Sequence, residues 1–142
     1  MKIDRQLFRT GHPLVDSQHE AYLDLLDELF VVGREPLSDK TKVDEALNKA
    51  IAYGLEHFIS EEQLMESVNY PALDAHRKKH NEFRVHAESL RLAAKHLSPE
   101  TLLYEINLWM VRWLCNQIQT YDKALAEFLA RRNPISSPSF HA

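Results

Sequence analysis

Apolar residues recur at alternating steps of three and four positions over most of this chain, which is the period of α-helices that pack against a core. The pattern predicts four helices, over residues 14–32, 40–67, 71–96 and about 99–131. Long helices joined by short connections form up-down-up-down bundles. We therefore expect an all-α fold, a four-helix bundle of the up-down-up-down type.

Local breaking and capping signals separate these predicted helices. Pro36 lies in the first connection, and Pro71 follows Tyr70 in the second. Proline disfavours helical geometry in the residue before it, so a helix should end near Tyr70. Ser98 and Pro99 combine a capping hydroxyl with proline at the first helical position, which predicts the start of the fourth helix.

The remaining segments are short and lie at the two ends of the chain. We expect an N-terminal arm over residues 1–13, the bundle over residues 14–131, and a flexible tail over residues 132–142. The tail prediction follows from its proline and serine content. Such a tail would suit a tether to an output domain.

Several polar residues lie on the apolar stripes of the predicted helices and not on the opposite faces. A buried carboxylate without a partner costs several kcal/mol or becomes protonated. A metal cation is one possible partner, and histidine with carboxylate is a ligand set for transition metals. The sequence therefore predicts a metal site in the bundle core, built from His19, His57, Glu61, His76, His80, Gln117 and Asp122.

The step from Gln117 to Asp122 does not fit a regular helix. Five residues turn about 500° on an α-helix, so the two side chains should not point the same way. A π-bulge or a bend would allow both to face the core, and such bulges are often found at functional sites. We predict one between these two residues.

Composition narrows the function classes. The chain has 142 residues, the size of one domain, and a net charge of −4. We see no basic cluster for nucleic acid, no long apolar run for a membrane and no signal-peptide core, and so expect a cytoplasmic protein without such partners. Cys115 is the single cysteine, which excludes an intrachain disulfide and a cysteine-based metal site.

Other polar residues are predicted to have no part in the metal site. We interpret Glu62 as a solvated surface charge and His12 as a structural residue of a glycine-proline turn. Cys115 should be an ordinary helix residue, because nothing near it marks an activated thiolate. Three further histidines match no ligand position and are interpreted as surface residues: His86, His96 and His141.

Taken in order, the polar positions and their flanks resemble the hemerythrin family. The resemblance covers nearly all of residues 11–129 and rests on Asp16 to His19, His57-Phe58, Glu61-Glu62, Leu64-Met65, Tyr70-Pro71, His76, His80, Trp113-Leu114 and Asp122-Lys123. It implies a non-haem centre of two iron ions, oxo- or hydroxo-bridged when oxidised, that binds dioxygen between the helices.

The resemblance also implies a role for each residue. His19 and His57 would hold one iron, His76 and His80 would hold the other, and both carboxylates would bridge the two. An apolar oxygen pocket would be walled by Phe58, Trp113, Leu114 and Ile118.

One position departs from the family pattern. The fifth family histidine falls on Gln117, while the flanking residues agree. An amide carbonyl is a weaker iron ligand than imidazole, so Gln117 would bind weakly or through water. The site would then be unusually open, which argues against simple reversible oxygen carriage.

Three functions remain open at this point. The first is a sensing or binding module for dioxygen, or another small diatomic or anionic ligand, that signals to an output domain or protein partner. The second is an enzyme that reduces oxygen, peroxide or NO. The third is a structural bundle whose metal site has decayed or holds only one ion. The sequence shows no organic-substrate site, which favours the module over the enzyme, and it retains both carboxylates, which argues against decay.

Overall fold

The computed structural model describes residues 4–33 and 40–132, and this part of the chain forms a four-helix bundle. The helices are α1 (Pro13–Gly33), α2 (Lys40–Ser67), α3 (Leu73–Ala93) and α4 (residues 99–132). The predicted all-α fold is confirmed. Residues 34–39 of the first predicted connection and residues 133–142 of the predicted tail lie outside the described residues. Arg132, which was predicted to begin the tail, is the last residue of α4.

The helix ends follow local chemistry. The Ser98 hydroxyl accepts a hydrogen bond from the Thr101 amide at 3.1 Å and so caps α4, as predicted. The chain leaves α2 through Asn69, which has a left-handed φ of 53°, a conformation that asparagine tolerates at helix ends. It then turns at Tyr70 and Pro71, so that α3 begins at Leu73 and ends at Ala93, a few residues inside the predicted limits.

The N-terminal arm packs on the bundle. A short 3₁₀ helix, Arg5–Phe8, buries the Phe8 ring to 4% exposure. The Arg5 guanidinium reaches Asp24 at 2.9 Å and Asp27 at 2.5 Å on α1. On α1, the Asp16 carboxylate accepts hydrogen bonds from the backbone amides of Thr10 and Gly11 in the arm. The arm is therefore held by one apolar anchor and by polar contacts on α1.

The predicted apolar stripes fill the centre of the bundle. The apolar residues on the inner faces are buried: Val15, Tyr22, Leu26, Leu29 and Phe30 on α1, Leu47 and Ala50 on α2, and Phe83, Ala87 and Leu90 on α3. Near the end of α2, Met65 is buried and Leu64 is partly buried. None of the helices in the described part of the chain has the length and apolar character needed to cross a bilayer.

Helix α4 is interrupted by two π-helical segments. One, Ile118–Asp122, lies where the sequence predicted a bulge, and this prediction is confirmed. Its wider turn lets Gln117 and Asp122 both face the core, with exposures of 1% and 2%. The other segment, Ile106–Val111, was not predicted; it buries Ile106 and Met110. The π turns thus decide which side of α4 faces the other helices.

Candidate metal centre

All of the predicted metal ligands lie inside the bundle, and each helix contributes at least one. Helix α1 brings His19, α2 brings a histidine and a glutamate, and α3 brings two histidines one turn apart. Helix α4 brings an amide and a carboxylate. None of these side chains exceeds 5% exposure: His19, His57, Glu61, His76, His80, Gln117 and Asp122.

Six of these residues form two overlapping groups of potential metal ligands. One group is His19 and His57 with the two carboxylates, and the other is His76 and His80 with the same two carboxylates. Within each group, one ligand atom from every residue lies within 4.8 Å of the others. Because both groups share Glu61 and Asp122, the arrangement suits two ions held side by side.

Glu61 reaches histidines of both groups with its two oxygens. Its Oε1 lies 2.8 Å from His76 Nε2 and 3.0 Å from His80 Nε2. Its Oε2 lies 3.5 Å from His57 Nε2. The carboxylate therefore stands between the two groups, as a bridging ligand would.

Asp122 is placed in the same way from the opposite helix. Its Oδ1 lies 2.9 Å from His76 Nε2, and its Oδ2 lies 2.9 Å from His19 Nε2. The π-helical segment that ends at Asp122 makes this position possible. Each carboxylate thus touches one histidine or more from either side of the centre.

Several ligand atoms in this pocket lie close to one another without forming hydrogen bonds, as expected of a pocket that fits metal ions. Among the described residues, several buried ligand atoms have no hydrogen-bond partner: His19 Nε2, His57 Nε2, Glu61 Oε2 and Asp122 Oδ1. Two ligand atoms that each lie about 2.1 Å from one ion, at right angles, are roughly 3 Å apart. Short separations without hydrogen-bond alignment are therefore what atoms converging on a shared ion would show.

The protonation equilibria reflect the same crowding of opposite charges. Burial alone would raise the pKa of Glu61, but hydrogen bonds from His76 and His80 hold it well below the ordinary value. Burial would lower the pKa of His76, yet contacts with Asp122 and Glu61 raise it to about 9. Burial lowers the pKa of His57. Glu61 is therefore held in its anionic form, which attracts cations to the centre.

A second layer of side chains orients the histidine rings through their other nitrogen. His57 Nδ1 lies 2.7 Å from the Gln18 amide oxygen, and His80 Nδ1 lies 2.7 Å from Glu62 Oε2. Partners of this kind fix ring tautomer and orientation in metal sites. Each group therefore has one histidine with such a partner.

The sequence prediction that Glu62 is a solvated surface charge is wrong. Its side chain is 13% exposed and also accepts a hydrogen bond from Arg84 at 3.1 Å. Burial opposes its ionisation, but the His80 contact lowers its pKa. The contact of Glu62 with His80 could not be predicted from the sequence, because a residue at the edge of the buried face of α2 has no distinctive spacing.

Comparison with known proteins agrees with this geometry. The family model described as "Hemerythrin HHE cation binding domain" matches residues 10–129. The chain belongs to the hemerythrin family. A bacteriohemerythrin of Stenotrophomonas maltophilia is 30% identical over 117 residues, which cover 82% of this chain and 74% of the relative. A myohemerythrin of Theromyzon tessulatum is 34% identical over 112 residues, 75% of this chain and 85% of the relative.

A solved structure shares the fold. The crystal structure of a leucine-to-phenylalanine mutant superposes with a TM-score of 0.73, over 89% of this chain and 95% of that one. Its sequence identity is 21%, so this likeness concerns the fold alone.

The structure places Gln117, which the sequence predicted to depart from the family pattern, in the core. Its side chain is 1% exposed. Neither its amide oxygen nor its amide nitrogen has a hydrogen-bond partner among the described residues. A buried amide without partners costs free energy. The amide therefore needs a partner, which an ion or a water molecule would supply.

The residues expected around the hemerythrin oxygen pocket are mostly buried. Phe58, Leu114 and Ile118 are at most 1% exposed, whereas Trp113 is partly buried. The Phe58 ring stacks on the His80 ring with centroids 4.0 Å apart. Phe58 thus shields the His80 ring from water.

The remaining polar residues lie apart from the two ligand groups. His12 Nδ1 accepts a hydrogen bond from the Val15 amide at 3.4 Å, a structural role at the start of α1. His96 is exposed, and His86 is partly buried against Trp109 instead of being a plain surface residue. Burial raises the pKa of Cys115, which is not an activated thiol. His141 lies outside the described residues.

Proposed function

We propose that this hemerythrin-family chain holds two iron ions and binds dioxygen or another small diatomic or anionic ligand. The observation that carries the proposal is the pair of buried ligand groups that share Glu61 and Asp122. His19 and His57 would hold one ion, and His76 and His80 the other. Bound iron would supply the electrons and the coordination position that such a ligand needs.

The protein's own residues would control access and charge. Glu61 and Asp122 offset the positive charge of two ions, and a buried cation pair without anionic ligands would be unstable. Phe58, Leu114 and Ile118 keep the surroundings apolar. An apolar shell limits solvent entry and tunes the redox behaviour of a metal site.

Gln117 sets the kind of function that we propose. Its amide has no partner in the described structure, and amide oxygen is a weaker donor than imidazole. We infer that the ion held by His76 and His80 keeps a position for water or an incoming ligand. Such a centre suits a cytoplasmic oxygen or redox sensor, linked to an output domain or protein partner, better than a carrier.

The same observation favours one alternative. An open position beside two redox-active ions would also suit an enzyme that reduces oxygen, peroxide or NO. The sensor and the enzyme differ in turnover. A sensor ends in one stable oxidised state, whereas an enzyme consumes its ligand repeatedly when a reductant is present.

Metal analysis together with visible spectra tests the proposal. We expect two irons per chain after purification or iron reconstitution, and distinct spectra for oxidised, reduced and air-exposed protein. Glu88→Gln is a control, because the Glu88 side chain is 55% exposed on α3 and pairs with Arg91. One zinc per chain, or no metal after reconstitution, would overturn the proposal.

A further inference from the structure

A continuous series of aromatic rings leads from the candidate metal centre to the protein surface. It starts at His80, whose ring stacks on Phe58 with centroids 4.0 Å apart. Phe58 contacts Trp113 at 5.9 Å, and Trp113 stacks on Trp109 at 5.9 Å. Trp109 finally stacks on His86 at 3.7 Å. We call these five residues the ring series.

The outer part of the ring series reaches solvent. Trp113, Trp109 and His86 line a surface groove of about 600 Å³ between α3 and α4. Val85, on the wall of the groove, is 73% exposed. Small molecules can therefore approach both indole rings, whereas Phe58 and His80 are sealed in the core.

The chemistry of the rings divides their roles. Indole is among the side chains that lose an electron most readily, and the phenyl ring is much harder to oxidise. The Arg84 guanidinium lies 5.8 Å from the Phe58 ring centre, and a cation over a ring opposes loss of an electron from that ring. Phe58 is thus a bridge between His80 and Trp113, while the two indoles are the groups that can be oxidised.

We propose that Trp113 and Trp109 carry oxidising equivalents from the iron centre to the surface. The inference rests on the proposed function, because it requires a redox-active centre at His80. Reaction with peroxide would oxidise an open centre, and the oxidised centre could then take electrons from its own ligands. Electrons supplied through the ring series would reduce the centre and so protect those ligands from oxidation.

The transfer is balanced in two steps. One electron passes from the Trp109 indole, by way of Trp113, to the centre, and the oxidised indole releases its N–H proton to water. A small thiol in solution then returns one electron and one proton to Trp109. Two such events join two thiols in one disulfide. Peroxide is the oxidant, since it takes up the two electrons and the two released protons and becomes two water molecules, and the thiol is the final reductant.

A competing route through tyrosine is less favoured. The Tyr121 ring lies 6.0 Å from the ring of His76, which belongs to the same ligand group as His80. The Lys79 ammonium stands 5.6 Å from the Tyr121 ring centre. This charge opposes formation of a cation on that ring. The prediction is therefore a tryptophan radical and not a tyrosine radical.

The test is a freeze-quench electron paramagnetic resonance experiment on iron-loaded protein mixed with hydrogen peroxide. The chain has two tryptophans, so growth with ring-deuterated tryptophan should narrow the radical signal. Trp113→Phe should reduce the signal several-fold, and Trp109→Phe should leave it on Trp113. Tyr104→Phe is the control, since Tyr104 is 63% exposed on the same helix, and it should change nothing.

A second readout follows the sites of damage. Peptide mass spectrometry should find oxidation on the indoles in the natural protein and on residues near the centre in Trp113→Phe. A tyrosine radical, or iron-loaded protein that consumes peroxide without any tryptophan signal, would overturn the ring-series proposal alone. Protein that holds no iron would overturn it together with the proposed function. The deuterium result on natural protein decides the matter even if Trp113→Phe fails to bind iron.

Discussion

His80 Nδ1 and Glu62 Oε2 lie 2.7 Å apart, and Arg84 holds the same carboxylate oxygen from the other side at 3.1 Å. The equivalent partner of His57 is the neutral amide of Gln18, also at 2.7 Å. A carboxylate partner makes an imidazole a stronger donor than an amide does. The charged partner therefore supports His80, in the ligand group whose ion we propose to have an open position beside Gln117.

Glu62→Gln should weaken metal binding at the His76 and His80 group. The change keeps the shape of the side chain and removes its charge, so we expect a loss of about 10- to 100-fold in metal affinity. Competition with a chelator, followed by visible absorption, measures the loss. Glu66→Gln makes the same change on the same helix at a glutamate that is 60% exposed, and it should have no effect. Equal affinities in the two variants would contradict this role of Glu62.

Glu61→Ala should release more iron than Gln117→Ala. Glu61 lies within reach of histidines from both ligand groups, so its loss affects both ions. Gln117 can serve one ion at most. Elemental analysis should find Glu61→Ala nearly without iron and Gln117→Ala with more than one iron per chain. Similar losses in the two variants would show that our assignment of a bridging role to Glu61 is wrong.

Metal should stabilise the fold. Without ions, the clustered carboxylates and histidines keep several unpaired polar atoms in the core. Ligand present at about 1,000 times its dissociation constant adds about 4 kcal/mol, which corresponds to a rise in Tm on the order of 10 °C for a domain of this size. Thermal melts followed by circular dichroism compare apo and iron-loaded protein.

The control for the melting experiment is Glu61→Ala, which should show little response to added iron. Coincident melting curves of apo and iron-loaded natural protein would mean that the buried polar atoms find other partners.

The positions of the candidate ligands were predictable because helical periodicity assigns a direction to each side chain. His19 and His80 stand on stripes that are otherwise apolar, and such stripes face the core. The bulge before Asp122 was predictable because a step of five residues does not fit a regular helix. These predictions used spacing within one helix, which the sequence shows directly.

Features that depend on contacts between helices could not be predicted in this way. Glu62 pairs with His80 across the gap between α2 and α3, and the ring of His86 meets Trp109 across α3 and α4. Nothing in the spacing of either partner marks such a pair. The π segment at Ile106–Val111 was also missed, since its residues keep an apolar pattern that a regular helix would show as well.

Gln117→His should slow the oxidation of the reduced protein by air. The amide oxygen of Gln117 is a weak metal ligand, so we expect a coordination position for water at the ion held by His76 and His80. An open, hydrated centre would pass electrons to oxygen and stay oxidised, whereas a fifth imidazole would close it. Stopped-flow mixing of reduced protein with oxygen should therefore show several-fold slower oxidation in Gln117→His.

Gln119→His, at an exposed position two residues away, is the matched control. A long-lived oxygenated spectrum in the natural protein, unchanged in Gln117→His, would mean that position 117 does not govern the chemistry and would favour plain oxygen carriage.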